Sequence, residues 1–453
     1  MRHLFGTDGM RGVANEPPMT PELALKLGRA VAWVAGRGKR HAPRIVVGKD
    51  TRLSGYMIKT ALASGICSMG GRVLLCGPIP TPAVAHLSVS MRADAGIVIS
   101  ASHNPFADNG IKIFGADGFK LPDSAEIEIE ALLDDAALPV RKTGKSIGSA
   151  ERLEDARGRY VAFVKATFPR DLSLDGVRIV VDAAHGAAYR VAPAVFQELG
   201  ASVTALGVRP NGVNINRGVG ALHPEKACAE VVKRGAAIGI ALDGDADRVI
   251  VIDEKGAVVD GDAVMAMCAA RMVRDGELRR STVVATVMSN LGLERALRGL
   301  GAKLVRTPVG DRYVVEAMRQ GGFNLGGEQS GHLVFLDHAS TGDGAIGALQ
   351  VLALMMRTGQ PLSELARGSM QRVPQVLENV TLPSRRPLEQ MEQLGKAQQK
   401  VEKTLGQEGR VLVRWSGTEP KLRIMVEGPD AGKIRGFAKE LAEAARKDVP
   451  VTA

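Results

Sequence analysis

The sequence predicts an α/β fold: three similar mixed α/β domains in series and a fourth, C-terminal α+β domain. Three observations predict it. Short apolar runs alternate with helical apolar periodicity through residues 1–370, which implies mostly parallel sheets covered by helices. Beyond residue 371, two apolar runs flank a short polar turn, with helical patterns around them, as in an antiparallel hairpin packed on helices. At about 150 residues per domain, the 453 residues hold roughly three domains.

In chain order, Thr20-Pro21-Glu22 reads as a helix start, with Thr20 as N-cap and Pro21 in the first helical position. Leu23, Leu27, Val31 and Val34 then recur on one helical face. Ile45–Val47 is a short strand, a helix follows from about Ser54, and Val73–Leu75 and Ile97–Ile99 are further strands. Residues 137–158, charged and Gly-containing, read as a linker. Val177–Val181 restarts the pattern, a turn-rich segment runs from Arg209 to Pro224, and Ile238–Leu242 and Val249–Ile252 are strands around an acidic loop. A third series runs from Val283–Val287 to a helix near Ala345–Met356. Last come a strand at Val376–Leu382, a helix at Leu388–Leu405, paired strands Val411–Trp415 and Leu422–Val426, and a helix at Ala431–Ala445. The expected domains are 1–150, 151–255, 256–370 and 371–453. The architecture repeats, although no residue-level repeat is visible.

Composition narrows the function. Hydrophobic residues make up an ordinary 45% and aromatics only 4%, so base stacking is not expected. The net charge of +10 suits an anionic partner. The basic residues are spread along the chain, and the densest run, Arg37–His41, reads as a solvated loop. A small phosphorylated substrate is therefore the stronger reading, and nucleic acid the weaker one. Cys67, Cys76, Cys228 and Cys268 form no C-x-x-C pair and lie in or beside apolar segments, so reduced, packed cysteines in a cytoplasmic protein are expected. Met1–Asp8 has no apolar core for a signal peptide, and no apolar run has membrane-span length.

The strongest local signal is LDGDADRV, residues 242–249. In extended backbone alternate side chains share a face, so Asp243, Asp245 and Asp247 converge. Like charges held that close need a cation, or one must take up a proton. Oxygen-only ligands on a compact loop suit Mg²⁺. The bland alternative is an acidic surface turn, but apolar strands flank the loop and pin it. An EF-hand is excluded because Arg248 stands at its sixth position, where glycine is required, and a buried strand follows. Arg248 beside three aspartates suits a phosphate oxygen.

In VRWSGTEPKLR, residues 413–423, a strand delivers Arg414, a turn holds Ser416, Gly417 and Thr418, and Lys421 and Arg423 return. Hydroxyls, free N–H groups and guanidinium around one turn make a phosphate nest, against an ordinary polar hairpin as an equal alternative. GGEQSGH, residues 326–332, offers Glu328, Ser330 and His332 as handles for sugar hydroxyls and proton transfer. FGTDGMRG, residues 5–12, places Arg11 between flexible glycine turns. Gly144-Lys145-Ser146 resembles the end of a P-loop, but Pro139 stands where its first glycine must be. Finally, Ser100-Ala101-Ser102-His103-Asn104-Pro105 puts small polar groups at the mouth of a buried strand, with Lys112 just beyond.

FGTDGMRG, SASHNP, DGDADR, RTPVGDRYV, GEQSGH and RWSGTEPKLR occur over the whole chain in one order, and together they resemble the α-D-phosphohexomutase superfamily. The resemblance implies four domains around a central cleft. It implies that Ser102 is phosphorylated in the active enzyme and shares one Mg²⁺ with Asp243, Asp245 and Asp247. His103, Asn104 and Arg248 would line that phosphate, and Ser100 would face elsewhere. It further implies a sugar 1,6-bisphosphate intermediate that turns around in the site, with glucosamine or glucose 1,6-bisphosphate as activator. Glu328, Ser330, Thr307 and Gly310 would hold the sugar. Arg414, Ser416, Gly417, Thr418 and Arg423 would hold the distal phosphate. Lys112 and His332 would serve as proton acceptor and donor, with Arg11 beside them. The opening and GEQSGH segments look like the amino-sugar branch, which supplies UDP-N-acetylglucosamine for cell walls. No nucleic-acid or membrane partner is expected, and oligomeric state stays open, a homodimer being one option. A phosphosugar-binding protein without turnover and a phosphatase using Asp243 as nucleophile are the rival readings.

Overall fold

The computed structural model describes residues 4–6, 8–134, 138, 141–416 and 421–449. The first domain holds strands β1 (Met10–Val13), β2 (Arg44–Lys49), β3 (Arg72–Pro78), β4 (Ala95–Ile99), β5 (Asp108–Gly115) and β6 (Ala150–Arg152). Its helices are α1 (Pro21–Gly36), α2 (Gly55–Ser68), α3 (Thr81–Ser90) and α4 (Asp123–Ala131). Thr20 caps α1 as its sequence requires, its hydroxyl accepting from Leu23 N at 3.3 Å. The sheet order is β1-β5-β4-β2-β3-β6. Strand β6 pairs with β3, so the first sheet reaches past residue 150 into the segment read as a linker.

The second domain has α5 (Ala156–Lys165), β7 (Arg178–Asp182), α6 (Val191–Glu198), β8 (Ser202–Leu206), α7 (Glu225–Arg234), β9 (Ile238–Leu242), β10 (Val249–Ile252) and β11 (Val258–Val259). The third has α8 (Gly261–Arg274), β12 (Thr282–Thr286), α9 (Leu291–Gly299), β13 (Lys303–Thr307), α10 (Asp311–Gly321), β14 (Leu325–Gly327), β15 (Leu333–Phe335), α11 (Gly344–Thr358) and α12 (Leu362–Ser369). Their sheets run β11-β10-β9-β7-β8 and β13-β12-β14-β15.

One unit recurs in all three. A central strand (β2, β7, β12) is flanked by two parallel neighbours, and one neighbour continues through a hairpin into an antiparallel strand. The sheets are thus more mixed than the apolar runs alone suggest. The expected architectural repeat lies in topology, which packing constrains, while residue identities have diverged.

The fourth domain is a three-stranded antiparallel sheet, β16 (Gln375–Thr381), β17 (Arg410–Trp415) and β18 (Lys421–Glu427), in the order β16-β18-β17. Helices α13 (Glu392–Leu405) and α14 (Ala431–Asp448) cover it. Its core, from Val380 to Val449, is its own. By contrast, a single apolar core runs through the first three domains, including Val46, Phe196, Leu242, Val283 and Leu349. The fourth domain meets the third mainly through polar groups: Asn290 Nδ2 and Leu291 N donate to the buried Glu427 at 2.9 and 3.3 Å, and Arg410 Nη2 donates to Ser289 O at 2.5 Å. A polar hinge between separate cores can swing at lower cost than a shared apolar core can split.

Helix α11 is apolar almost all round and buried along its first twelve residues, as a helix at the centre of a large core must be. Asp343 caps it, accepting from Ala345 N and Ile346 N at 3.0 Å, and also accepts from Tyr160 OH of the second domain at 2.7 Å. Burial pushes the Asp343 carboxyl up to about 6. Its folded-state proton is therefore held more tightly than an unfolded one, released near about 4. The stability this gives is full at low pH and is lost as pH rises through about 6. Asp343→Asn is expected to flatten the fall in Tm across that window, read by thermal unfolding at several pH values; an unchanged slope would count against it.

Among the described residues no helix is long and apolar enough to cross a membrane. The four cysteines are free, and burial pushes the Cys76 and Cys268 thiols up to about 12.

Candidate active site

Four of the six motifs share one structural address, a hairpin loop between antiparallel strands: β4 to β5, β9 to β10, β14 to β15, and β17 to β18. Of the other two, one runs into β1 and carries Arg11, and one links β13 to α10 and carries Thr307 and Gly310. In the first three domains the hairpin loop leaves the carboxyl end of a parallel strand, where open α/β sheets bind their ligands. Backbone hydrogen bonds tie the acidic loop to a helix start in each of the first and third domains and to the loop of the third. Thr81 N, opening α3, donates to Asp245 O at 2.9 Å; Gly344 N, opening α11, donates to Ala246 O at 3.0 Å; and Val249 N donates to Gly331 O at 3.0 Å. Gly331 is obligatory, with φ +90° and space so tight that a Cβ would lie 2.0 Å from Val249 O.

At the junction, Asp243, Asp245 and Asp247 each offer a carboxylate oxygen within 4.8 Å of the others, and all three are buried. Burial, then Asp247 and Asp245, pushes the Asp243 carboxyl well up. Ser102 Oγ donates to Asp243 Oδ2 at 2.6 Å, and Arg248 N donates to Asp243 Oδ1 at 3.2 Å. Asp245 Oδ1 and Asp247 Oδ1 are buried without a hydrogen bond. Buried, unsatisfied anionic oxygens facing one another beside a hydroxyl are the donor set of a hard divalent cation, so the residues fit a metal.

The serine is aimed by backbone. Ser102 has φ +53°, so the strand's alternation breaks there. Ser100 and Ser102, two apart, would otherwise share a face. Instead Ser100 Oγ donates to Asp50 Oδ2 at 2.5 Å and accepts from Ser102 N at 3.0 Å. His103 Nδ1 lies 3.2 Å from Ser102 Oγ. Burial, then Arg248 and Arg11, pulls the His103 imidazole down to about 4. Arg11 Nη1 donates to Asn104 Oδ1 at 3.2 Å and its other arm pairs with Asp8.

Family models match all four domains: phosphoglucomutase/phosphomannomutase alpha/beta/alpha domains I, II and III at residues 2–139, 158–256 and 260–373, and the C-terminal domain at 377–444. This chain belongs to the phosphoglucomutase/phosphomannomutase family. It is 70% identical to a phosphoglucosamine mutase of Sorangium cellulosum, over 99% of this chain and 94% of that protein. It is 60% identical to a phosphoglucosamine mutase of Anaeromyxobacter sp. (strain Fw109-5), over 98% of this chain and 96% of that one. A phosphoglucomutase/phosphomannomutase family protein from Burkholderia thailandensis shares the fold, with TM-score 0.82, 24% identity, and 99% and 98% of the two chains covered. So does Aspergillus fumigatus N-acetylphosphoglucosamine mutase, solved with GlcNAc-6P and magnesium, with TM-score 0.67, 17% identity, and 99% and 96% covered.

In this phosphohexomutase the expected proton acceptor has unexpected surroundings. Lys112 Nζ, on β5, lies 3.0 Å from Asp245 Oδ2, 3.1 Å from Asp247 Oδ2 and 3.1 Å from Asp8 Oδ2. Burial pulls its pKa down, but the three carboxylates outweigh that and hold it well above the ordinary lysine value. An ammonium so held neutralises charge among the three carboxylates. His332 is also buried. Its Nε2 accepts from Gly342 N at 3.2 Å, and its ring nitrogens face Asp311 at 3.5 Å and Asp247 at 3.7 Å. Burial lowers its pKa, yet Asp311, then Asp247, raise it net; with Nε2 accepting from Gly342, the ring carries its proton on Nδ1, which faces Asp247.

The loops expected to hold a sugar touch each other: Gly310 N donates to Glu328 Oε1 at 3.1 Å, and Ser330 Oγ to Glu328 Oε2 at 3.4 Å. Thr307 ends β13 just before them, its hydroxyl donating to Pro308 O at 3.1 Å. Arg414 and Arg423 sit opposite each other across β17 and β18. Burial, then Arg423, pulls the Arg414 guanidinium down. Among the described residues, the buried Nε atoms of both arginines have no hydrogen-bond partner, which suits an anion. Ser416 N bonds Lys421 O at 2.8 Å and Ser416 O accepts from Arg385 at 2.7 Å, so this turn is tied within its own domain. Gly417 and Thr418 lie outside the described residues.

Several residues escaped the sequence reading. Arg52, Asp50 and Asn216 hold the Ser102 loop. Lys120 Nζ bridges Asp8 Oδ1 at 2.5 Å and Asp311 Oδ2 at 2.6 Å, joining the first and third domains beside His332. Asp8 and Asp311 lay inside quoted motifs, but Lys120 carried no local signal. Lys120→Met would strip the buried Asp311 of its lysine partner and leave Asp8 only Arg11 and Lys112, at about 3 kcal/mol. A lower Tm and lower turnover are expected by thermal unfolding and steady-state assay, and wild-type values for both would refute the bridge's role.

Proposed function

We propose that this chain is a phosphoglucosamine mutase, interconverting glucosamine 6-phosphate and glucosamine 1-phosphate through phosphorylated Ser102. The observation that carries the reading is Ser102 Oγ at 2.6 Å from Asp243 inside a cage of three buried carboxylates. The 70% identical relative carries the same name.

Asp243, Asp245, Asp247 and the Ser102 phosphate would hold one Mg²⁺, as magnesium accompanies the fungal relative. When bound, the ion would neutralise the phosphoryl oxygens and favour their in-line transfer. Arg248 and Lys112 add positive charge to the same face. Phosphorylated Ser102 gives its phosphoryl group to the free sugar hydroxyl: the Ser102 Oγ–P bond breaks, a sugar O–P bond forms, and as the hydroxyl loses its proton Ser102 Oγ gains one. The bisphosphate reorients and returns its other phosphoryl group to Ser102. His332 holds a proton suited to the leaving oxygen. Glu328 and Ser330 hold the sugar, and Arg414, Ser416 and Arg423, with Gly417 and Thr418, hold the far phosphate in both orientations. Glucosamine or glucose 1,6-bisphosphate would restore any enzyme that has lost its phosphoryl group to water.

The experiment is a side-by-side rate comparison on glucosamine, glucose and mannose 6-phosphates with Mg²⁺ and a trace of bisphosphate. Fastest turnover on glucosamine 6-phosphate is expected. Preference for glucose or mannose would move the chain to another branch of its family, and no turnover on any would favour a binding protein.

A further inference from the structure

The loop that carries Ser102 is gripped by two side chains from two different domains. Arg52, following β2, is fully buried, and its Nη2 donates to Ser102 O at 3.2 Å and to Asn104 O at 2.6 Å. Asn216, from the turn-rich segment of the second domain, donates from Nδ2 to the same two oxygens, at 2.9 and 3.0 Å. A carbonyl oxygen accepts two hydrogen bonds and an amide nitrogen donates two. Both carbonyls and the amide are therefore used to capacity.

The acidic loop approaches at the same point. A Cβ on Gly244 would lie 2.5 Å from Ser102 O and 2.9 Å from Asn216 Nδ2. Asn216 is itself fixed, its backbone left-handed at φ +59° and its N donating to Ala184 O at 2.9 Å. Ser102 also sits in the left-handed region, which costs a non-glycine residue on the order of 1 kcal/mol and persists only where its surroundings determine it. The four hydrogen bonds to Ser102 O and Asn104 O supply that determination.

We propose that Asn216 is a positioning residue for phosphoryl transfer: its amide locks the Ser102 loop to the second domain, so that Oγ stays aimed into the carboxylate cage through both halves of the cycle. The inference rests on Ser102 being the phosphoryl carrier. Among the described residues, the Asn216 side chain donates only to the serine loop's backbone carbonyls. Its loss should therefore move kcat and spare KM.

The test compares Asn216→Ala and Asn216→Asp with wild type in steady-state kinetics, with intact mass after bisphosphate treatment and thermal unfolding alongside. Asn216→Ala is expected to lower kcat by about 30- to 100-fold, the scale of a reacting atom misplaced by roughly 1 Å, with KM within about 3-fold. Asn216→Asp is nearly isosteric but faces two carbonyl acceptors with a third acceptor, so it should be at least as slow as the alanine variant. A serine loop merely filled by side-chain bulk predicts the reverse order, with Asp near wild type, and that order overturns the proposal. Wild-type kcat in Asn216→Ala also overturns it. Wild type lacking both turnover and a phosphoryl group would sink the function itself, a result distinct from either variant outcome. A variant that melts early is judged by its phosphorylation rate at a temperature where it is folded, and there an unchanged rate counts against the clamp.

Discussion

Replacing Ser102 with alanine is expected to lower mutase turnover by at least about 10³-fold, the usual consequence of deleting a group that forms a covalent intermediate. The fold should survive. Ser102 is fully buried, but Ser102→Ala keeps the backbone whose carbonyl Arg52 and Asn216 hold, and loses the hydroxyl's contacts with Asp243 and His103. Intact mass gives a second reading. Wild type treated with bisphosphate should carry one added phosphoryl group and Ser102→Ala none. Ser100→Ala is the informative control, because Ser100 supports the Ser102 N–H and Asp50 without facing the cage. It should slow the enzyme and still accept phosphate. Full turnover in Ser102→Ala, or a phosphoryl group that persists in it, would end the mechanism proposed above.

Asp245→Asn is the second large effect. Its Oδ2 already accepts from Thr81 Oγ1 at 2.7 Å and from Lys112 at 3.0 Å, while its Oδ1 is buried without a hydrogen bond. Converting it to an amide turns one potential ligand into a donor and removes a third of the cage's formal charge. Turnover is expected to fall by at least about 10²-fold. Wild type should melt higher with Mg²⁺ than with chelator, since a ligand bound only by the folded state stabilises it. In Asp245→Asn that difference should shrink or vanish. Chelation should abolish wild-type turnover and added Mg²⁺ restore it. An enzyme that runs at full rate after exhaustive chelation would refute a metal role for these aspartates.

Much of the architecture was legible because it is local. Thr20 and Pro21 open α1, and the hairpin at β17 and β18 follows from two apolar runs around a polar turn. The acidic triplet announced itself because alternation puts three carboxylates on one face whatever the rest of the chain does. Strand β5 was harder. Asn109 and Gly110 interrupt its apolar pattern, and both are buried against neighbours the pattern does not reveal. The end of the first sheet was harder still, since Ala150–Arg152 is exposed and gains its strand identity only from pairing with β3.

By itself the sequence determined the series of α/β units, the separate C-terminal domain and the loops that bear the chemistry. Those depend on side-chain period, turn residues and charge within a few positions of one another. Only the tertiary structure decided which atoms meet. Lys112 became a fixed cation among Asp8, Asp245 and Asp247, and Ser102 was twisted away from the face of Ser100. Lys120 and Asn216 acquired roles across domain boundaries, and Arg52 one some fifty positions away within the first domain. Electrostatic and hydrogen-bond energies depend on separations of a few ångströms through space, and residues more than a hundred positions apart carry no local trace of that proximity.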